Sequence, residues 1–247
     1  MNGPLAGPSY RPALDATAGL LNATPRPGPV WLFDLDDTLH DAHTASMAQI
    51  RDAMGDYIEQ RLGYARAEAE ALRNRHWHRY GATLLGLVKH QGVDAAHFLH
   101  HTHLLPGLEV RVRGHGPDLA ALARLPGRRY LLTNAPAVYA ARVLGALGIA
   151  HLFDGVIAIE AMRMFGQLRP KPDARMLRAV ATRLGVPPSH CVLVEDTLVH
   201  QKAARSVGMR TVWMQRWLAW PGARPHRKPA YVDRRVRKLN DLLRRPP

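Results

Sequence analysis

The chain has 247 residues, 47% of them hydrophobic and 22% charged, which suits a soluble globular protein with one sizeable core and room for a smaller module. No apolar stretch approaches the roughly 18–20 residues of a membrane span, and the single cysteine, Cys191, excludes an internal disulfide. The net charge of +14 raises nucleic acid as a partner, but half of it sits in residues 221–247, where Lys and Arg outnumber Asp233 and Asp241 without aromatic interleaving or zinc-finger spacing; a solvated basic surface is expected there instead.

Residues 1–28 are proline-rich and lack both the charged start and the apolar block of a secretory signal. They are predicted to form a disordered leader, and the location is predicted to be cytoplasmic. Val30-Trp31-Leu32-Phe33 is the first of three apolar runs that end abruptly in polar groups, here Asp34-Leu35-Asp36-Asp37-Thr38. The others are Tyr130-Leu131-Leu132 before Thr133-Asn134, and Cys191-Val192-Leu193-Val194 before Glu195-Asp196. Short apolar runs separated by helical patterns read as parallel strands buried on both faces. Ligands of such sheets lie beyond the carboxyl ends of the strands.

Between the first and second runs the pattern is helical. Met47, Ile50, Met54, Tyr57, Ile58 and Leu62 follow helical spacing up to a stop at Gly63. Further helices are predicted near Arg66 to Tyr80, over Thr83 to His90, and from an Asp94 N-cap to about His101. Leu104-Leu105-Pro106-Gly107 marks the return. Helices are then predicted at Asp118–Leu125, Pro136–Leu147, Asp173–Leu184 and from Glu195-Asp196 to Val207, with strands at Tyr130, Val156–Ile159, Cys191, Thr211–Met214 and finally Ala230–Val232. The expected fold is an α/β, doubly wound, Rossmann-like parallel sheet. It comprises residues 29–43 and 104–247, with residues 44–103 as an inserted all-helical cap.

Carboxylates converging at the strand ends repel one another unless a cation sits among them, which implies a divalent metal. Asp34, ionised at neutral pH given a reference pKa of about 3.9, can attack phosphorus as a nucleophile. Asp36 can pass a proton to the leaving oxygen and take one from water, and Thr38 would anchor the turn. Thr133 and Asn134 offer a hydroxyl and an amide to phosphate oxygens. Lys171, between Pro170 and Pro172, is biased away from helix and offers a fixed ammonium. Asp34, Asp36 (through its carbonyl), Glu195 and Asp196 would complete an oxygen shell for Mg²⁺. Taken singly, each piece has a plain structural reading as a turn, a loop, a surface lysine or a helix-dipole pair. All four occur in order, and three directly follow strands.

These residues resemble the haloacid dehalogenase superfamily of phosphohydrolases: Asp34-Leu35-Asp36-Asp37-Thr38 its first motif, Thr133-Asn134 its second, Lys171 its third and Glu195-Asp196 its fourth. The resemblance implies a Rossmann-like core, a cap inserted after the first motif, and Mg²⁺-dependent phosphoryl transfer through Asp34. Asp36, two residues after the nucleophile, is the phosphatase pattern and argues against a dehalogenase. Tyr80-Gly81-Ala82-Thr83-Leu84-Leu85-Gly86-Leu87 is similar to the pyrimidine 5′-nucleotidase branch, as are Thr133-Asn134-Ala135 and Leu152-Phe153-Asp154-Gly155. This narrower likeness implies UMP or CMP as substrate and a substrate-binding role for Tyr80. Glu195 stands where many members have Asp, so direct and water-mediated metal contact both stay open.

His97, His100, His101 and His103 lack an acidic or cysteine ligand nearby, so a structural metal is not expected there. Trp77, at helical spacing from Tyr80 and Leu84, is expected in the cap core; the alternative is that His76, Trp77, His78 and Tyr80 line a base-binding pocket. Trp213, Trp217 and Trp220 are expected to cover the sheet end or a subunit contact. The expected partner is a small phosphorylated metabolite, with no membrane or nucleic acid, in a monomer or homodimer. A sugar phosphate is the alternative substrate. A non-catalytic basic protein binding acidic partners is the alternative of a different class.

Overall fold

A computed structural model describes residues 27–218 and 227–244. The expected leader, but for its last two residues, and Trp220 lie outside them. The elements run β1 (Val30–Phe33), α1 (Ala48–Leu62), α2 (Arg66–Tyr80), α3 (Thr83–Gln91), α4 (Ala95–Thr102), α5 (Leu108–Arg111), α6 (Gly116–Arg124), β2 (Arg128–Leu132), α7 (Ala137–Ala146) and β3 (Gly155–Ile157). They continue with β4 (Arg163–Met164), β5 (Gln167–Leu168), α8 (Ala174–Arg183), β6 (Cys191–Glu195), α9 (Leu198–Ser206), β7 (Arg210–Met214) and β8 (Arg234–Val236).

Six strands form one parallel sheet in the order β3-β2-β1-β6-β7-β8. Alternation along β1 divides the core. Trp31 and Phe33 pack with α6 and α7 on one face, through Leu122, Tyr139 and Val143. Val30 and Leu32 pack with α8 and α9 on the other, through Leu177, Val180 and Ala204. Both faces are therefore dry, which is why the strands read as unbroken apolar runs. Trp31 still satisfies its indole N–H, donating to the Pro126 carbonyl at 2.8 Å.

Helices α1–α4 contain no strand and close on a core of their own, built from Ile58, Leu72, Leu87 and Phe98. Their ends follow the local signals. Gly63, Gly81 and Gly92 take the left-handed conformation just past α1, α2 and α3, and Asp94 caps α4 by accepting from the His97 N–H at 2.7 Å. A wide π-helical turn at His43–Met47 leads into α1.

Three predicted details differ. The last strand is Arg234–Val236 rather than Ala230–Val232, because Thr211 ties down the preceding residues through their side chains and carbonyls (Thr211 Oγ1 to Tyr231 O, 2.9 Å; Thr211 N to Asp233 Oδ2, 2.9 Å) and pairing with β7 begins only at Arg234. Strand β3 stops at Ile157, because Ile159 turns away to bond the Ala135 carbonyl and bury against the α1–α4 core. The hairpin β4–β5 was not foreseen; its two-residue strands carry no usable periodicity, and only Phe165-Gly166, both at positive φ, mark its turn. No helix among the described residues is long and apolar enough to cross a membrane.

Candidate active site

The chain leaves β1 on one side for β2 and reaches β6 on the other, so a crevice opens at the carboxyl ends of these strands. Phe33 is level with Leu131 of β2 and Val194 of β6. The residues that follow them, Asp34 above all, therefore emerge side by side. The Asp34 N–H extends the ladder by bonding the Val194 carbonyl at 2.9 Å.

Lys171 reaches this point from the loop between β5 and α8. Its Nζ donates to Asp34 Oδ1 at 2.7 Å and to Glu195 Oε2 at 2.6 Å, and the side chain is 1% exposed. Asn134 fixes that loop. Its Nδ2 donates to the Lys171 carbonyl and its Oδ1 accepts from the Lys171 N–H, each at 2.9 Å. Asn134 thus positions the lysine with one amide hydrogen and its carbonyl oxygen, and its second Nδ2 hydrogen has no partner among the described residues. Thr133 is buried, accepts from the Ala135 N–H at 3.1 Å, and keeps its hydroxyl hydrogen to donate.

One ligand atom from each of Asp34, Glu195 and Asp196 lies within 4.8 Å of the other two. Burial pushes the Asp196 carboxyl up to about 10, and the charges of Glu195 and Asp34 add to the effect. Burial, then Glu195, also raises Asp34 well above the usual range, against the pull of Lys171. Glu195 moves the opposite way: burial opposes its charge, but Lys171 and His200 outweigh it and hold the carboxyl well below its ordinary value. Three carboxylates thus face one buried ammonium with negative charge to spare. A divalent cation among them would let Asp34 and Asp196 ionise, so the donor set fits Mg²⁺.

Glu195 is the least available of the three. Its Oε2 meets Lys171 and lies 3.1 Å from His200 Nδ1, while its Oε1 accepts from the Thr197 N–H at 3.2 Å. The Asp36 carboxylate stands outside the cluster. Its Oδ1 accepts from Tyr139 Oη at 2.8 Å and pairs with His40 Nε2 at 2.9 Å. Thr38 does not anchor the turn by its side chain, since its buried hydroxyl has no hydrogen-bond partner among the described residues. Asp37 does more there, taking positive φ and accepting from the His43 N–H at 3.0 Å.

A cavity of about 560 Å³ stands over these groups, floored by Asp34, Asp36, Thr133, Asn134, Lys171 and His200. Helices α1–α4 supply its roof, including Arg51, Met54, Arg73, Trp77 and Phe98. Trp77 is 56% exposed and lines the cavity rather than the cap core. Tyr80 does not line it. Its hydroxyl bonds His90 Nε2, and its ring lies near both His76, one turn back on α2, and His90 of α3. His97 bonds the Tyr57 hydroxyl at 2.8 Å and belongs to no potential metal cluster among the described residues. Trp213 is buried over the sheet end and donates to the Asp196 carbonyl at 2.8 Å.

Sequence reasoning missed His40, Tyr139 and His200. His40 had one usable signal, its place four residues after Asp36. Tyr139 and His200 looked like ordinary helix residues.

A family model described as haloacid dehalogenase-like hydrolase matches residues 30–208. The chain is 25% identical over 199 residues to Phosphate metabolism protein 8 of Saccharomyces cerevisiae, a match spanning 75% of this chain and 62% of that protein. It is 27% identical over 192 residues to fructose-1-phosphate phosphatase YqaB of Escherichia coli, spanning 73% and 93%. A crystal structure of a HAD phosphatase from Thermococcus onnurineus shares the fold, with a TM-score of 0.58 and 22% identity over 87% of this chain and 96% of that one.

Proposed function

The chain belongs to the haloacid dehalogenase-like hydrolases, and from that premise we propose that it is a Mg²⁺-dependent phosphomonoester hydrolase working through an aspartyl-phosphate on Asp34. The observation that carries this is the contact of Lys171 Nζ with both Asp34 and Glu195 at the strand ends, with Asp196 beside them.

Asp34, Asp196 and the Asp36 carbonyl would hold the metal, with Glu195 reaching it through water. The ion supplies charge neutralisation and orients the phosphoryl group. Lys171, Thr133 and the Asn134 backbone N–H bind phosphoryl oxygens. A carboxylate oxygen of Asp34 attacks phosphorus as the ester bond breaks. The leaving oxygen takes a proton from Asp36 Oδ2, the oxygen that Tyr139 and His40 leave free. Water then attacks the phosphorus of the acyl phosphate, returns its proton to Asp36, and releases inorganic phosphate and the Asp34 carboxylate. The helices over residues 44–103 act as a cap that excludes bulk water.

The finer reading is a pyrimidine nucleoside monophosphate. The size of the cavity, the apolar groups Met54 and Phe98 in its roof and the Trp77 ring support it, since a ring of that exposure offers a stacking face for a base. A sugar phosphate is the second reading, favoured by the name of the Escherichia coli relative. The test is hydrolysis of UMP, CMP and fructose 1-phosphate with Mg²⁺ and with chelator, beside Asp34→Asn. We expect that variant to lose at least about 10³-fold in kcat; undiminished turnover would remove the mechanism.

A further inference from the structure

The floor of the cavity handles one phosphoryl group. Its roof carries positive charge that the scheme above does not use. Arg51 of α1 and Arg73 of α2 both line the cavity, and neither guanidinium has a hydrogen bond or ion pair among the described residues. Among the described residues Arg61, Arg75, Arg124 and Arg178 share this state but do not line the cavity, while several other arginines are paired. Arg66 pairs with Asp56, Arg142 with Glu109 at 2.6 Å, and Arg111 Nη2 donates to Gln49 at 2.6 Å. The carboxylates lining the cavity are Asp34 and Asp36, both on the floor, and they are already committed to Lys171, Tyr139 and His40. The roof therefore holds two planar, permanently charged donors with no anion to receive them. Guanidinium groups match carboxylate and phosphate oxygens as paired donors.

We propose that Arg51 and Arg73 form a second anion subsite in the roof of the cavity, which takes a carboxylate or phosphate at the far end of the substrate. The inference rests on the phosphomonoesterase reading alone and, against both the nucleoside monophosphate and the sugar monophosphate named above, selects compounds with two anionic ends. A singly phosphorylated sugar or nucleoside would leave the subsite to water and turn over less efficiently.

Two matched pairs test it with Mg²⁺ present: fructose 1,6-bisphosphate against fructose 1-phosphate, and 3-phosphoglycerate against glycerol 3-phosphate. The first pair asks for a distal phosphate, the second for a distal carboxylate. In at least one pair the doubly anionic member should lead in kcat/KM by about tenfold or more, as a charge-assisted pair predicts. Arg51→Gln and Arg73→Gln should each collapse that ratio, mainly through KM. A wild-type ratio near one in both pairs, or a ratio untouched by both substitutions, overturns the subsite. Calorimetric binding of the same four compounds to Asp34→Asn gives a readout without turnover: the doubly anionic members should bind more tightly, and each arginine substitution should erase the difference. If that preference holds while no compound, p-nitrophenyl phosphate included, is hydrolysed by the wild type, the hydrolase reading fails and the subsite stands.

Discussion

Lys171→Met is the most informative perturbation, because it removes one charge and keeps most of the stem. The ammonium is 1% exposed and contacts Asp34 at 2.7 Å and Glu195, itself 0% exposed, at 2.6 Å. Without it, Glu195 keeps His200, 3.1 Å away, and the Thr197 N–H, and Asp34 and Asp196 face it unscreened. Removing one partner of a buried pair costs about 3–5 kcal/mol. In the wild type, Glu195 is held well below its usual range, so it contributes stability above its unfolded pKa that is lost only as pH falls through the lower, folded value. In the variant that contribution disappears, and Glu195 joins Asp34 and Asp196, already raised in the wild type, in taking up a proton before the unfolded chain does. The deficit should be largest near pH 8 and shrink toward pH 5. Denaturant unfolding of both proteins in chelator at the two pH values measures it. A deficit below about 1 kcal/mol at pH 8, or one equal at both pH values, would refute the charge account. Turnover should fall by about 10²–10³-fold, as for loss of one preorganised donor to the reacting group.

Tyr139→Phe deletes the donor to Asp36 Oδ1 and the partner of Ser46 Oγ, 2.8 Å away; kcat should drop with little change in KM, and stability by about 1 kcal/mol for the lost bonds, since Ser46 Oγ keeps the Ala42 carbonyl at 3.3 Å. Asn134→Ala frees the Lys171 backbone from both its bonds, and should lower kcat while the fold, followed by circular dichroism, persists. Gly86→Ala sets a Cβ 2.2 Å from His76 Cγ, and should cost about 1–3 kcal/mol by overpacking. Because the His76 Cβ would also lie only 2.5 Å away, the same change should cost far less in a His76→Gly background; an equal cost in both would assign it elsewhere.

Much of the fold and part of the site were legible from the chain alone. Strands buried on both faces must be apolar at every position, so β1, β2, β6 and β7 stood out. The glycines after α1–α3 and the Asp94 cap are local backbone devices that work from a few neighbouring residues. Asp34, Lys171, Glu195 and Asp196 each sit at or beside a strand end or a proline-bounded loop, so their convergence followed from topology. Partner choice did not. Asn134 spends its amide on a backbone 37 residues away, and Asp36 takes a hydroxyl from 103 residues away; neither bond has any periodicity to betray it. Nor does helical spacing say which side of α2 looks inward. Residues 73 and 77 turn to the cavity and 76 and 80 to α3 because of how the helices pack, and only that packing exchanges Trp77 for Tyr80 and sets Arg51 and Arg73 in the roof.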